Sequence, residues 1–457
     1  MKKFMLRCRK SIVLLMKLGL YMVLMATFFL LMSIHNPQIL VMSRTMAITI
    51  FTFVIIILLL TNIYGHYDIG TRKSRPIVYS LSLSVIFTDV ITFIALYIMN
   101  TNDANNREFL KEDIFLLFII MYLQVLAVII FTYGGQAVYF SIVDPERCLI
   151  ITDSLDTLDG LMRGIKKYKK QYNVVGVVEY DNHDLWERID QVDTVFLNNV
   201  PLQQKNEIVE SCYRKNKNIY YNPEIIDVVN IHSHHVLLDD VSVISAEVKE
   251  LSAEQKLIKR AGDIFISLFA IIVGSPIMLG CALAIKLNDG GSVLFRQNRV
   301  TKDNRIFTIY KFRTMKEGAD LHLCTTDDER VTKVGKVLRK YRLDELPQLF
   351  NILKGDMSLV GPRPEMTQFV YVYMEDLPQF GYRHRVKAGL TGYAQVMGKY
   401  NTSSKDKLAM DLMYIENFSI WNDVKILFQT VLVLFKAEDS TEGFMKGDKQ
   451  GSMEEMG

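Results

Sequence analysis

A chain of 457 residues is long enough for two to four units that each bury a core. Half of it is hydrophobic, mean hydropathy is +0.15 and net charge is only +3, which excludes the global basic footprint of a nucleic-acid-binding protein. Five cysteines (Cys8, Cys148, Cys212, Cys281 and Cys324) are odd in number and lack CxxC spacing, which argues against a disulfide framework or zinc site and suits a reducing compartment.

The apolar residues are clustered. Residues 1–10 are strongly basic and 12–33 are apolar except for Lys17; no small-residue cleavage site follows, so an anchor helix is expected rather than a cleaved signal. Further runs cover 46–61, 77–99 and 114–140, each approaching or exceeding the roughly 20 residues a spanning helix needs. The TRKSRP loop at 71–76 is basic, whereas the loops at 35–39 and 101–113 are not. The positive-inside rule therefore puts the N-terminus, the 64–76 loop and the chain beyond residue 141 in the cytoplasm. Lys17 and Arg44 lie near span ends and can snorkel. The spacing predicts four transmembrane helices over 1–143, with no acid expected inside them.

Residues 144–250 change period. CLIIT, NVVGVVEY, DTVFLNN and NIYYNPEIIDVV read as buried strands, with helices over DTLDGLMRGIKKYKK and QQKNEIVESCYRKN. Alternating βα units predict a Rossmann-like α/β middle domain. The G-x-G-x-x-G fingerprint is missing: TDSLD follows the first strand, and Asp153 and Asp156 would repel a pyrophosphate, so a structural or regulatory role is expected. His232, His234 and His235 of HSHH lack a Cys or carboxylate placed to complete a closed shell and read as surface or linker.

The fifth apolar run, 264–285, contains Ser275-Pro276 near its middle. Proline removes an N–H and predicts a kink or break. Lys256, Lys259 and Arg260 on one flank and Lys286 on the other fit a helix that enters and leaves on one face, but a kinked spanning helix fits composition equally. Beyond it, Val334, Val337, Leu338 and Tyr341 share a helix face opposite Lys333, Lys336 and Lys340, the pattern of an interfacial helix or of a soluble one packed on its core. A second helix is expected to start around Asp344, with Glu345 beside it and Pro347 in the first turn. An aspartate there should stay ionised, as a nucleophile, a metal ligand or an ordinary N-cap.

KLIKRAGDIFIS, LFRQNRV, IYKFRTM, RLDELPQLFNILKGDMSLVGPRPE, HRVKAGLTGYAQVMGK and DLMYIENFSIWNDVKILFQT follow one another over residues 252–436. In that collinear order they resemble the bacterial sugar transferases, the polyprenyl-phosphate phosphoglycosyl transferases. The whole chain resembles the long members that prime exopolysaccharide, capsule or O-antigen (lipopolysaccharide) synthesis at the bacterial cytoplasmic membrane. The resemblance implies a mostly α catalytic domain over 251–457, facing the cytoplasm, with a re-entrant membrane helix at 260–288 broken at Ser275 and Pro276. It puts the family's Asp-Glu dyad on Asp344-Glu345 and its Pro-Arg-Pro motif on Pro362-Arg363-Pro364. Ala388 stands where members usually carry proline, Tyr393 where tryptophan is common, and Thr301-Lys302 replaces a glycine-led turn; these departures blur the donor more than the reaction.

What the resemblance implies is transfer of a sugar-1-phosphate, with the long architecture favouring a hexose, from a UDP-sugar to undecaprenyl phosphate in two steps. Asp344 attacks the β-phosphorus, UMP leaves, and the lipid phosphate attacks the phosphosugar-enzyme. Mg2+ held by Asp344 and the diphosphate would screen charge, and Glu345 is the metal or proton-handling partner. Arg363 suits a bidentate phosphate fork, with Lys311 and Arg313 as second contacts. Gln395, Asp411 and Tyr414 belong to family signatures and also fit structural roles. Expected partners are the donor, the lipid, a second copy in a homo-oligomer and downstream glycosyltransferases, not nucleic acid. Two rivals stay open, a membrane transporter and a nucleotide-sensing scaffold of polysaccharide assembly. The few spans, the large soluble half and the expected absence of intramembrane acid stand against the first.

Overall fold

The computed structural model describes residues 9–100, 111–231, 233–245, 250–318, 329–398 and 403–435. The chain divides into two compact units, Met1–Asn222 and Pro223–Gly457.

The first unit opens with α1 (Arg9–Met32), α2 (Arg44–Tyr64), α3 (Ser74–Asn100) and α4 (Lys111–Ile142), each long and apolar enough to cross a membrane. α1 packs on α4, and α3 packs on both α2 and α4. Leu20, Leu24, Phe28, Phe53, Ile77, Leu81, Ile120 and Val128 are buried between them. Asp89 corrects one expectation. It lies within α3, fully buried and beside Gln124, so the apolar stretches do carry an acid and that objection to a transporter falls. A reading by mean hydropathy passes over it because one aspartate barely lowers the average of a long apolar run.

Four strands follow: β1 (Glu146–Thr152), β2 (Tyr172–Glu179), β3 (Thr194–Asn198) and β4 (Asn218–Tyr221). They pair only in parallel, in the order β2-β1-β3-β4. Helices α5 (Asp159–Lys166), α6 (Leu185–Asp190) and α7 (Leu202–Arg214) connect them. β1 and β3 are buried almost throughout, which is why CLIIT and TVFLN read as continuous apolar runs rather than alternating ones. The loop after α2 touches this sheet layer: Gln171 donates to the Gly70 carbonyl at 2.7 Å, and the Lys73 ammonium sits 4.7 Å from the Tyr168 ring centre. In the NIYYNPEIIDVV segment only 218–221 is strand.

The second unit begins with α8 (Ile225–Asn230), whose Val228 is buried in that unit's main core. The hairpin β5 (His234–Leu238) and β6 (Val241–Ser245) follows. His234 and His235 lie exposed on β5, and among the described residues no group of three or more His, Cys, Asp or Glu is placed to hold a metal ion; His232 is outside the described residues.

α9 (Ala253–Asp289) is the fifth helix long enough to span a membrane. Helix continues through Ser275 and Pro276, where a kink or break is expected. Pro276 has no N–H for the carbonyl of Ile272, and the Ser275 hydroxyl donates to that carbonyl at 2.8 Å instead. Both ends of α9 are held by other elements of the second unit. Near its start, Lys259 donates to the Val360 carbonyl at 3.1 Å, and Arg260 to the carbonyls of Ile352 and Leu353 at 2.6 and 2.7 Å. Near its end, Cys281 and Ile285 pack with Phe312 and Leu338. Between them Phe265, Phe269, Ile272 and Leu279 are exposed.

β7 (Leu294–Val300) and β8 (Ile306–Phe312) form an antiparallel hairpin, followed by α10 (Lys333–Lys340) and α11 (Gln348–Lys354). β9 (Ser358–Val360) leads to α12 (Thr367–Asp376) and pairs in parallel with β10 (Gly389–Thr391); α13 (Tyr393–Met397), α14 (Ser404–Glu416) and α15 (Ile420–Phe435) complete the unit.

Candidate active site

The dyad sits in a single 3-10 turn, Leu343–Glu345, ahead of α11. This corrects the expected helix start. α11 begins at Gln348 with Pro347 as its N-cap, so Asp344 caps nothing there. Arg342, which precedes the turn, has φ +54°, a left-handed conformation that is strained for a side chain of this size. Leu343 and Leu346, three apart and so nearly eclipsed on a 3-10 turn, both pack into the apolar layer formed with α9 and α10.

Two elements bring cations to this turn. α11 is pinned to the edge of β8 by Asn351, whose amide oxygen accepts from the Tyr310 N–H at 3.0 Å while its Nδ2 donates to the Thr308 carbonyl at 2.8 Å. That registers Lys311 opposite the dyad, and its Nζ donates to Glu345 Oε1 at 3.3 Å. Arg363 donates to the same oxygen at 3.0 Å. Burial pushes Glu345 up, but Arg363, Lys311 and Arg342 outweigh it and hold the carboxyl well below the usual range. Asp344 shifts the other way. Burial raises it first and the Glu345 charge second, against the pull of Lys311, Arg339 and Arg363. The turn is not the start of α11, so no long-helix dipole is among the influences on Asp344. Burial likewise lowers Lys311, with Glu345 opposing.

The Pro-Arg-Pro loop is fixed through its backbone. Pro362 accepts from the Gly389 N–H at 2.9 Å, Arg363 from Arg383 at 2.8 Å, and Pro364 from Arg299 at 3.1 Å. Gly361, Gly389 and Gly392 let two backbones touch here: a Cβ on Gly389 would lie 2.1 Å from the Gly361 nitrogen. β9, which leads into the loop, is held from α9: Asp263 accepts from Ser358 Oγ at 3.1 Å and from the Leu359 N–H at 3.0 Å. Tyr414 lies within hydrogen-bond distance of the Val360 carbonyl and of Asp423, which pairs with Lys259.

Asp344, Glu345, Lys311 and Arg363 thus come together, with Pro362 and Pro364 framing the last. Arg313 does not join them. β8 ends at Phe312, so the two-residue alternation that would keep Arg313 on the face of Lys311 is lost, and its guanidinium pairs with Asp289 and Glu317. Gln395 donates to the Leu390 carbonyl at 3.1 Å and touches no dyad atom. Asp411 lies behind the loop, 2.8 Å from Arg383, and burial pushes its carboxyl up to about 6 against the pull of that arginine. Reading the sequence picks out neither Arg299, Arg339 and Arg342 nor the Arg383–Glu365–Lys407 group. Arg299 does stand in the LFRQNRV motif, and Arg383 directly precedes HRVKAG. Two carboxylates, one already bound by two cations, do not make a protein-only metal cage. They fit an oxygen-ligated ion that draws its remaining ligands from a phosphate substrate.

The family model for bacterial sugar transferases matches residues 254–437. The chain is 50% identical over 180 residues to the UDP-N-acetylgalactosamine-undecaprenyl-phosphate N-acetylgalactosaminephosphotransferase of Aeromonas hydrophila, covering 38% of this chain and 43% of that protein. It is 38% identical over 217 residues to the UDP-glucose:undecaprenyl-phosphate glucose-1-phosphate transferase of Escherichia coli K12, covering 46% of this chain and 47% of that one. The chain thus spans about half the length of these two relatives, 43% and 47%. It covers 94% of the exopolysaccharide production protein PSS of Rhizobium leguminosarum bv. phaseoli, at 40% identity over 188 residues and 38% of this chain. Identity at this level across nearly the whole of a relative makes the chain a member of the bacterial sugar transferase family.

Proposed function

We propose that the second unit transfers a sugar-1-phosphate from a UDP-sugar to undecaprenyl phosphate, giving undecaprenyl-diphosphate sugar and UMP, as the priming step of a surface polysaccharide such as an exopolysaccharide, capsule or O-antigen. The carrying observation is one half-buried carboxylate, Asp344, beside an arginine and a lysine that share the single counter-charge of Glu345 and so keep a net positive charge for a diphosphate. An Asp344 oxygen attacks the β-phosphorus, the bond to the bridging oxygen breaks, and UMP leaves with that oxygen and its electron pair. A lipid-phosphate oxygen then attacks the same phosphorus and releases the carboxylate. Arg363 and Lys311 orient the diphosphate and meet the charge that builds on its oxygens. Asp344, with Glu345 as a second oxygen donor, would hold Mg2+ together with the diphosphate, and the ion would supply charge screening at the attacked phosphorus.

The membrane setting is part of the same reading. α1–α4 form a four-helix transmembrane anchor in the cytoplasmic membrane, followed by a Rossmann-like domain that serves assembly of a homo-oligomer rather than nucleotide binding. α9 is re-entrant about Ser275-Pro276, with the catalytic unit in the cytoplasm. The reading draws on the anchorage of both α9 ends in the second unit while its apolar middle stays uncovered. The product passes to downstream glycosyltransferases. A hexose donor and an N-acetylhexosamine donor both fit, given the names of the relatives.

The test is UMP release by purified protein with undecaprenyl phosphate, magnesium and a panel of UDP-sugars. Wild type should turn over one donor class, and donor alone should give a burst of UMP with a phosphosugar adduct on the peptide containing Asp344. Asp344→Asn should abolish both while leaving the fold intact. A fully active Asp344→Asn protein refutes the nucleophile.

A further inference from the structure

Arg363 can act on a diphosphate only if its loop holds it beside the dyad, and prolines on both sides leave that loop few donors of its own. Its backbone carbonyl accepts from a buried ionic group. Arg383 is 2% exposed, its Nη2 donates to the Arg363 carbonyl at 2.8 Å, and the same nitrogen lies 2.8 Å from Asp411 Oδ2. Its Nη1 lies 3.8 Å from Glu365 Oε1, which also pairs with Lys407 at 3.4 Å. The guanidinium carbon sits 4.8 Å from the centre of the Phe380 ring. Lys407 and Asp411 are four apart on α14, so one helix face presents a cation and an acid to the loop.

A buried guanidinium is stable only when its charge is balanced by nearby acids. Asp411 and Glu365 provide that balance, and neither touches the dyad. Resting on the proposed reaction, we propose that Arg383 is a positioning residue. Locked by Asp411 and Glu365, it holds the Arg363 carbonyl and thereby sets the place of the Arg363 guanidinium on the donor's diphosphate. The planar fork suits this, since one nitrogen meets carbonyl and carboxylate together while its partner faces a second acid. Lysine offers a single centre on a more flexible stem.

The experiment is a double-substitution cycle on the full-length enzyme, read as KM for the UDP-sugar and kcat. Arg383→Gln should raise KM by roughly tenfold or more, Arg383→Lys should restore part of that, and in an Arg363→Ala background Arg383→Gln should add less than about twofold. Equal penalties in both backgrounds overturn the proposal, as does an Arg383→Gln enzyme with wild-type KM. Amide exchange gives a reading independent of turnover. Gly389, Gly361 and Val300 donate to Pro362, Thr391 and Glu365 around the loop, and their exchange should quicken about tenfold in Arg383→Gln while the Tyr310 amide, bound to Asn351, stays unchanged. Exchange that rises everywhere, or nowhere, overturns it. Should Arg383→Gln fail to fold, Asp411→Asn keeps an oxygen but loses the charge. The same cycle and the same amides then apply to it, and the same results support or overturn the proposal. Wild type that releases no UMP from any donor refutes the proposed reaction, and the exchange arm then still decides whether Arg383 holds the loop.

Discussion

Asp344 and Glu345 are neighbours in the chain and opposites in chemistry. Glu345 shares one oxygen between Arg363 and Lys311, whereas burial and the Glu345 charge both work against ionising Asp344. Glu345→Gln would leave the half-buried Lys311 with Asp344 as its nearby acid, and breaking such a pair destabilises by about 3 kcal/mol when fully buried, a figure to be discounted here because Lys311 and Arg363 are both partly exposed. Thermal melts of the variant should show that loss alongside severely reduced turnover. His384 gives a pH test. Burial, with Arg383 next to it, lowers its pKa from 6.5 to about 4, and its Nδ1 lies 2.6 Å from Asn304 Oδ1. Below pH 6.5 the unfolded chain binds a proton that the folded one refuses, so stability falls as pH drops from 6.5 towards 4. The loss is on the order of 2–3 kcal/mol by linkage. His384→Gln should flatten that part of the pH–stability curve in melts of the purified protein.

At the level of elements, two helices depend on one small side chain each. In α9, Ser275 supplies the donor that Pro276 lacks. Ser275→Ala should lower the melting temperature of the membrane-reconstituted protein, the lost bond being worth about 1 kcal/mol; the double change to Ala-Ala, which regains the backbone N–H, should recover it. α10 lies against the end of β8 at Gly335, where a Cβ would stand 2.0 Å from the Thr314 carbonyl oxygen. Backbone cannot yield as a flexible side chain can, so Gly335→Ala should lift α10 and destabilise the unit by about 1–3 kcal/mol. Because α10 carries Arg339, whose Nε donates to Thr314 Oγ1 at 2.9 Å and whose charge acts on Asp344, activity should fall with it. Melts and UMP release on Gly335→Ala check both.

On the scale of the whole molecule, the two units bury separate cores, and the family match at 254–437 lies within the second. A chain cut to 223–457 should therefore keep UMP release in detergent or lipid. One cut to 251–457 should be less stable, because it loses α8 and with it Val228, fully buried in the second unit's core. Comparative melts of the two truncations decide this. The path of α9 has its own test: cysteines at 289–292 should label from inside cells only, and labelling from outside intact cells would sink the re-entrant reading.

Sequence alone determined what is written in local period and charge. The long apolar runs became helices α1–α4 and α9, because a span needs length and hydropathy and little else. The parallel sheet was legible at β1 and β3, whose buried residues read as unbroken apolar runs, whereas β2 and β4, read as buried too, are largely half-buried or exposed at the sheet's edges. The dyad and the Pro-Arg-Pro motif were legible as motifs. Tertiary structure alone decided which cations reach the dyad. Lys311 and Arg313 look equivalent two residues apart, yet the strand ends between them and only Lys311 arrives. Arg383 lies 39 residues beyond Asp344, in a 3-10 stretch with no period to betray it, and is tied to the site through a carbonyl that any residue could have supplied. A backbone acceptor leaves no mark on side-chain identity, so contacts of this kind are set by packing and cannot be read from residue type.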